Sequence, residues 1–188
     1  MKRDFYVICD DIRSLENIGS IFRTADALGV SKIFLCGISG SSSTNFESQG
    51  KWKNINPKLY SKLVLDKPPH HKISKTALGA EKTIPFEYCR QIGRLIDKLK
   101  NPSAGSGQEK IQIVALEQDK KAISYDKFKP KFPLALIVGN EVKGISKKIL
   151  KKSDKIIFLP MSGQKESLNV SVAFGVAGYH IIKSSDKN

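Results

Sequence analysis

Cysteine is scarce in this chain and offers no basis for a disulfide framework. Only Cys9, Cys36 and Cys89 occur in 188 residues, they lie far apart, and no C-x-x-C pair is present. An odd number of isolated cysteines argues against disulfide pairing. Long hydrophobic runs are also missing: no stretch reaches the ~18 apolar residues of a membrane span, and the N-terminus lacks the apolar region of a signal peptide. These absences predict a cytoplasmic protein with reduced thiols and no membrane partner.

Several familiar catalytic and cofactor motifs are absent too. There is no G-x-x-x-x-G-K-[ST] sequence, which excludes P-loop chemistry, and no G-x-S-x-G nucleophile elbow. The only G-x-G, at Gly105 and Gly107, precedes a predicted strand instead of following one, which excludes a dinucleotide-binding fingerprint. His70 and His71 are adjacent but have no Cys, Asp or Glu near them at the spacing of metal ligands. The sequence therefore predicts no metal site.

Positive charge is what the chain has in excess. Thirty-two lysines and arginines stand against 18 aspartates and glutamates, which gives a net charge of +14 and an isoelectric point near 9.7. Such an excess favours a polyanionic partner, and RNA or DNA is the first candidate. The alternative is a basic surface that is simply solvated.

Short apolar runs alternate with amphipathic helical patterns along the chain. The helix after the first strand is expected to have Asn17 as its N-cap and to end at Gly29. Residues 39–58 are rich in Ser, Gly and Asn and predict a surface loop, whereas 59–85 show no clear pattern. We predict one α/β domain over 1–188 with a short polar tail at 183–188 and five or six mostly parallel strands. The predicted strands are 5–9, 32–38, 111–117, 133–139 and 155–160, and the predicted helices are 18–28, 86–99, 146–154 and 167–183.

Three polar clusters follow predicted strands. The first holds Asn17 and Arg23, the second is the sequence VGNEVKGIS at 138–146, and the third is LPMSGQKESLN at 159–169. Because ligands of parallel α/β sheets bind beyond the carboxyl ends of the strands, we expect the three clusters to form one site. Taken singly, each cluster is better explained by a helix cap, a solvated charge or a turn.

The same stretches resemble a known family. NIGSIFRTADALGV (17–30), IVGNEVKGIS (137–146) and LPMSGQKESLNVSVA (159–173) are similar to the three motifs of the SpoU-type RNA ribose 2′-O-methyltransferases of the SPOUT superfamily. Residues 70–87 resemble a middle stretch of its small single-domain members. The resemblance implies a mostly parallel sheet with helices on both faces and a C-terminal trefoil knot. It also implies S-adenosylmethionine as the cofactor and a homodimer whose sites draw on both subunits.

Site residues follow from the motif positions. The resemblance places the cofactor contacts at Leu116, Gly139, Asn140, Leu159, Met161, Ser167 and Leu168. It places the catalytic group at Asn17, Arg23, Glu141, Ser167 and Asn169. Arg23 would lie near the methyl donor bound by the other subunit.

The chemistry of these side chains suggests their roles. A guanidinium stays protonated in proteins, so Arg23 is expected to hold the 3′ phosphate and the 2′-oxygen of the RNA instead of acting as a base. Glu141 is expected to pair with Arg23 or to bond loop N–H groups, unless it only braces the turn between Gly139 and Gly144. Ser167 and Asn169 are expected to cap the last helix and to line the cofactor pocket.

The resulting prediction is methyl transfer to a ribose 2′-hydroxyl of RNA, with tRNA favoured over rRNA. The alternatives are a base methyltransferase and an RNA-binding or assembly protein with an idle cofactor pocket. Phe46 and Trp52 are expected to be packed, or else to stack on a base. Candidate RNA-contacting lysines are Lys51, Lys53, Lys72, Lys75, Lys143, Lys147, Lys148, Lys151 and Lys152.

Overall fold

The computed structural model describes residues 3–40, 70–103, 105 and 107–184. In these residues the strands are β1 (Phe5–Asp10), β2 (Lys32–Cys36), β3 (Phe86–Cys89), β4 (Gln112–Leu116), β5 (Ile123–Ser124), β6 (Leu134–Val138) and β7 (Lys155–Phe158). The helices are α1 (Leu15–Ala27), α2 (His71–Ala77), α3 (Ala80–Thr83), α4 (Ile92–Lys100), α5 (Lys147–Leu150) and α6 (Val170–Ser184), with a 3-10 turn at Tyr125–Lys127. None of the described helices is long and apolar enough to cross a membrane.

The strands form one seven-stranded sheet in the order β3-β2-β1-β6-β4-β7-β5. Every pairing between these strands is parallel, including Cys9 with Leu35 on one side of β1 and with Val138 on the other. The central strands are continuous apolar runs because both of their faces are covered by helices. The chain order changes direction between β1 and β6, and ligands of such sheets bind at this switch point, beyond the carboxyl ends of the strands.

The core has one layer on each face of the sheet. Helices α1, α2 and α6 cover the first face, where Phe22 and Phe174 are fully buried with Leu136. Helices α4 and α5 cover the second face, where Ile96 and Ile149 pack with strand residues such as Ile137. The predicted α/β architecture with helices on both faces is confirmed.

Helix α1 begins three residues earlier than the sequence pattern suggested. Its N-cap is Ser14, whose Oγ accepts a hydrogen bond of 3.0 Å from the backbone N–H of Asn17. The prediction of Asn17 as the cap is therefore wrong, because Ser and Asn are equally good caps and Ser14 is the one that lies at the turn. The helix ends as predicted, with Leu28 as its C-cap and Gly29 beyond it at φ +66°.

Three other element predictions need correction. The predicted helix over 86–99 begins only at Ile92, because 86–89 form β3 and pair with β2. Tyr88 and Ile92 have helical spacing by coincidence, since they belong to different elements. The basic helix at 146–154 is a single turn, and the last helix begins at Val170 instead of Ser167. The loop predicted at 39–58 lies outside the described residues from 41 onward.

Candidate active site

Asn17 joins the three polar clusters into one arrangement. Its Nδ2 donates a hydrogen bond of 3.0 Å to Oε1 of Glu141, in the loop after β6. Its Oδ1 accepts a bond of 3.0 Å from Nδ2 of Asn169, at the start of α6. The structure therefore brings Asn17, Glu141 and Asn169 together, as the positions of their clusters at strand ends predicted.

Glu141 ties the loop after β6 to the start of α1. Its two carboxylate oxygens accept bonds of 3.0 Å from the backbone N–H groups of Arg13 and Ser14, in addition to the bond from Asn17. Partial burial acts to raise the pKa of this carboxyl, but the hydrogen bonds from these donors outweigh it and lower the pKa. Glu141 is therefore ionised at neutral pH and occupied by donors, which suits a positioning role better than that of a base.

Of the roles expected for Glu141, only the bonding of loop N–H groups is present. The turn between Gly139 and Gly144 is braced by Asn140, whose Oδ1 accepts bonds of 2.9 Å from the N–H groups of Val142 and Lys143. The Nδ2 of Asn140 also donates to the carbonyl of Asp11 at 2.7 Å, which is a second link between this turn and the segment after β1.

Asn169 is the N-cap of α6 as well as a partner of Asn17. Its Oδ1 accepts bonds from the backbone N–H and the hydroxyl of Ser171, at 3.0 Å and 2.7 Å. The N–H of Ala173 donates to its carbonyl, which begins the helical pattern. Ser167 does not cap the helix, because it lies two residues before the cap, and it is exposed at the edge of a cleft.

Two residues that sequence reasoning missed connect the cleft loops. Glu117, directly after β4, accepts a bond of 2.6 Å from the N–H of Ile145. The next residue, Gln118, donates from Nε2 to the carbonyl of Leu159 at 2.8 Å. These contacts join the ends of β4, β6 and β7. The available signal was position, since Glu117 is the last residue of a predicted strand and the three recognised clusters also follow predicted strands.

A cleft of about 420 Å³ lies between these loops. Its size falls within the range of small-molecule sites, ≈ 300–1,000 Å³. Gly139 allows close packing at its base, because a Cβ there would lie 2.6 Å from the side chain of Ile145. Apolar side chains and exposed loop backbone suit an adenosyl cofactor, so the residues fit the predicted S-adenosylmethionine. The cleft is lined by all seven predicted contacts: Leu116, Gly139, Asn140, Leu159, Met161, Ser167 and Leu168.

Arg23 lies apart from the cleft of its own chain. It is exposed on α1, six residues beyond Asn17, and does not line the cleft. A separation of six residues corresponds to about 9 Å along a helix. Within the described residues Arg23 forms no ion pair. Of the two kinds of partner expected for Glu141, the structure has the loop N–H groups, because the carboxylate is turned toward the N-terminus of α1.

The candidate RNA-contacting lysines fall into three groups. Lys72 pairs with Glu16 at 3.8 Å, and Lys152 pairs with Asp97. Lys51 and Lys53, together with Phe46 and Trp52, lie outside the described residues. The remaining five are exposed and form no ion pair in the described part of the chain: Lys75, Lys143, Lys147, Lys148 and Lys151.

Comparisons with known proteins identify the family of this chain. The sequence model of the SpoU rRNA Methylase family matches residues 59–179. The chain is 28% identical to a tRNA (guanosine(18)-2′-O)-methyltransferase of Aquifex aeolicus over 95% of its own length and 68% of that relative. The chain spans 59% of the length of a second curated relative and 57% of the length of a third.

Solved structures share the fold. The A. aeolicus TrmH/SpoU tRNA modifying enzyme superimposes with a TM-score of 0.73 at 26% identity, over 99% of this chain and 77% of that one. The SpoU methyltransferase AviRb of Streptomyces viridochromogenes, solved with AdoMet, gives 0.75 at 22% identity, over 100% and 63% of the two chains. The family match covers well over half of the 188 residues and includes both motifs that form the cleft. The chain therefore belongs to the SpoU rRNA methylase family.

Proposed function

We propose that the protein transfers the methyl group of S-adenosylmethionine to a ribose 2′-hydroxyl of RNA. The observation that carries the proposal is the meeting of Asn17, Glu141 and Asn169 beside a cleft lined by all the predicted cofactor contacts. The names of the relatives, which are RNA methyltransferases, support the same reaction. The net charge of +14 suits a polyanionic substrate.

The residues of this chain act mainly by positioning. The cofactor, when bound, supplies a methyl group that is already activated by its sulfonium. Leu116, Leu159 and Leu168 would contact it, while Asn17 and Glu141 hold the surrounding loops in place. Correct placement of the ribose oxygen removes much of the barrier. Arg23 would hold the neighbouring phosphate and stabilise negative charge on the 2′-oxygen through its planar guanidinium.

A homodimer is part of the proposal, because Arg23 is remote from the cleft of its own chain. Helix α6 exposes an apolar stripe: Val172 is 52%, Val176 40% and Tyr179 49% accessible. Their spacing puts them on one face of the helix. Thr24, next to Arg23, faces Gly175 of α6. A partner on this stripe would lie close to Arg23, which supports a site shared between subunits.

The dimer is tested by sedimentation of Val176→Glu, which we expect to be monomeric at concentrations where the wild type is dimeric. Leu78→Glu is the matched control, since Leu78 is 66% exposed but lies at the end of α2. A monomeric wild type, or a Val176→Glu protein that stays dimeric, would contradict this interface.

We also propose tRNA as the substrate, a cytoplasmic location and a trefoil knot formed by the C-terminal segment. The tRNA assignment rests on the named activity of the A. aeolicus relative. The knot is supported by the likeness of fold to SpoU methyltransferases and by the convergence of the loops after β6 and β7 on one cleft.

The reaction is tested in two steps. Calorimetric titration with S-adenosylmethionine measures the affinity of the protein for the cofactor. Transfer of a labelled methyl group to bulk tRNA and to rRNA measures the activity. We expect binding and transfer to tRNA, with the label at a ribose 2′-oxygen after nuclease digestion. Binding without transfer to either RNA would favour an RNA-binding protein with an idle pocket, and label on a base would favour a base methyltransferase.

A further inference from the structure

A second and larger groove begins at the N-terminal edge of the sheet and extends along β3 and α4 as far as Cys89 and Arg90, at the C-terminal end of β3. It measures about 1230 Å³ and shares no lining residue with the cofactor cleft. Asp4, Lys32 and Pro133 line it, and they stand at the N-terminal ends of β1, β2 and β6. Because all strands run the same way, this edge is separated from the cleft by the length of a strand, about 20 Å for six residues.

Cations outnumber acids around this groove. Its acids are Asp4, Glu87 and Glu109, of which Glu87 pairs with Lys32 at 3.5 Å and Asp4 accepts a bond from the hydroxyl of Ser31 at 3.1 Å. The cations that line it are Arg3, Lys32, Arg90, Arg94 and Lys98.

Helix α4 distributes its charges unequally. On the side facing α5, Lys100 pairs with Asp154 at 2.6 Å and Asp97 pairs with Lys152. On the groove side, Arg94 and Lys98 are exposed, four residues apart, and form no ion pair in the part of the chain that the structure describes. An unneutralised pair at this spacing presents two cations side by side, which is unfavourable without an anionic partner.

Aromatic rings also line this groove. The rings of Tyr6 and Phe34 are 6.2 Å apart, and Nζ of Lys32 is 5.7 Å from the Phe34 ring. Phe34 is buried, whereas Tyr6 is only partly covered and lines the groove. Cations that follow a groove with an accessible ring in its wall are the features by which proteins hold single-stranded nucleic acid: the cations contact phosphates and the ring stacks on a base.

We propose that this groove binds a single-stranded segment of the RNA substrate at a distance from the reacting nucleotide. The inference rests on the proposed function and adds a second contact to it. A polymer can contact both ends of the sheet at once, which a small nucleotide cannot. Arg94 and Lys98 bind phosphates and Tyr6 stacks on a base. The groove thus raises the affinity for long RNA without taking part in the transfer.

The test compares two double charge reversals with the same change in net charge. Arg94→Glu with Lys98→Glu alters the groove, and Lys120→Glu with Lys121→Glu alters two exposed lysines that line neither cavity. RNA affinity is measured by fluorescence anisotropy over a salt series. We expect the groove variant to lose at least ~10-fold in affinity at low salt, with a log–log salt slope shallower by about 1.4 to 1.8, since two phosphate contacts are lost. The control should change by less than ~3-fold.

Stacking is tested separately with Tyr6→Leu, which keeps apolar volume in the wall. We expect it to weaken RNA binding ~5- to 100-fold, the range of base–aromatic stacking, while leaving the salt slope unchanged. Affinity for S-adenosylmethionine should be unchanged in all three variants, and circular dichroism confirms that each is folded.

The outcomes separate the two proposals. If the wild type binds cofactor and methylates RNA, but the groove variant binds RNA as well as the control does, the groove proposal is overturned and the proposed function stands. If polyglutamate of equal charge competes as strongly as single-stranded RNA for the wild type, the groove is a site for acidic peptides and the proposal fails. If the wild type transfers no methyl group, the proposed function fails, whereas the loss of RNA affinity in the groove variant still supports the groove.

Discussion

The side-chain amide of Asn169 donates a hydrogen bond to the side-chain carbonyl of Asn17 across 152 residues of sequence. Asn17 in turn donates to Glu141, so it uses both ends of its amide to hold the loops that flank the cleft. Aspartate at this position would lack the hydrogen-bond donor, and the hydroxyl of serine or threonine would be too short to replace both contacts. We infer that Asn17 positions the loops that line the cofactor cleft.

Asn17→Asp should disrupt this arrangement with almost no change in volume. It replaces the donor facing Glu141 by a second negative charge, so the two loops repel each other. We expect the affinity for S-adenosylmethionine to fall at least ~10-fold by calorimetry, roughly the 1.4 kcal/mol of a lost bond to a charged group. Ser20→Ala is the control on the same helix, because among the residues that the structure describes its hydroxyl bonds only to the carbonyl of Glu16. Wild-type affinity in Asn17→Asp would disprove the positioning role.

Arg23→Lys tests the proposed role of the planar guanidinium. Lysine keeps the charge but cannot contact phosphate and ribose oxygens with two parallel bonds. We expect kcat for methyl transfer to fall by about 100-fold, in the range seen when one stabilising donor is removed. Affinity for the cofactor should not change, since the proposed contacts of Arg23 are to the phosphate and the 2′-oxygen of the RNA and not to the cofactor. Near-normal turnover would show that charge alone is sufficient.

Gly144→Ala should destabilise the turn that forms one side of the cleft. Gly144 has φ +62°, and a Cβ there would collide with Oε2 of Glu117. Gly29→Ala is a matched control, because Gly29 has φ +66° with no atom near the position of a Cβ. We expect about 1 kcal/mol of destabilisation in the control from backbone strain alone.

The free energy of unfolding measured in urea should fall further in the Gly144 variant than in the control. The affinity of the Gly144 variant for the cofactor should also fall. Equal losses of stability in the two variants, with cofactor affinity unchanged in both, would mean that the contact between Gly144 and Glu117 has no role in shaping the cleft.

Asp10→Asn should stabilise the protein at alkaline pH. Asp10 is buried at the C-terminal end of β1, and this burial, with the neighbouring charge of Asp11, raises the pKa of its carboxyl from 3.8 to about 6. Between these values the folded state binds a proton that the unfolded state releases, so stability falls as pH rises through the window and stays lower above it. We expect the variant to exceed the wild type by about 3 kcal/mol at pH ~8, since each pKa unit corresponds to about 1.36 kcal/mol.

At pH ~3.5 both forms of residue 10 are neutral and the two stabilities should coincide. Urea unfolding across this pH range measures the difference. Asp126→Asn should show the opposite sign, since a hydrogen bond from Ser124 lowers the pKa of the exposed Asp126 carboxyl. A pH-independent gain in Asp10→Asn would show that packing and not ionisation causes the effect.

The sequence predicted the elements that are set by local pattern. The apolar runs at 5–9, 111–117 and 133–139 are strands because their residues are covered on both faces. The convergence of polar clusters was also predictable, because the carboxyl ends of parallel strands share one edge.

What depends on distant partners was not predictable. Ser14 and Asn17 are equally plausible caps, and only the position of Glu141 decides which side chain is left to contact it. The role of Glu117 was not predictable, because its partner Ile145 lies 28 residues away in the sequence. Arg94 and Lys98 gave no signal in the sequence, because the groove beside them is formed with strands from elsewhere in the chain.

The pairing of β1 with β6 has a consequence during synthesis. Phe5 pairs with Leu134, so the centre of the sheet can close only after about 130 residues have emerged from the ribosome. At 5–20 residues per second this takes roughly 7–25 s. For that time the apolar strand β1 remains unpaired on the side that will bind β6. We therefore expect chaperones that shield exposed hydrophobic segments to bind the nascent chain.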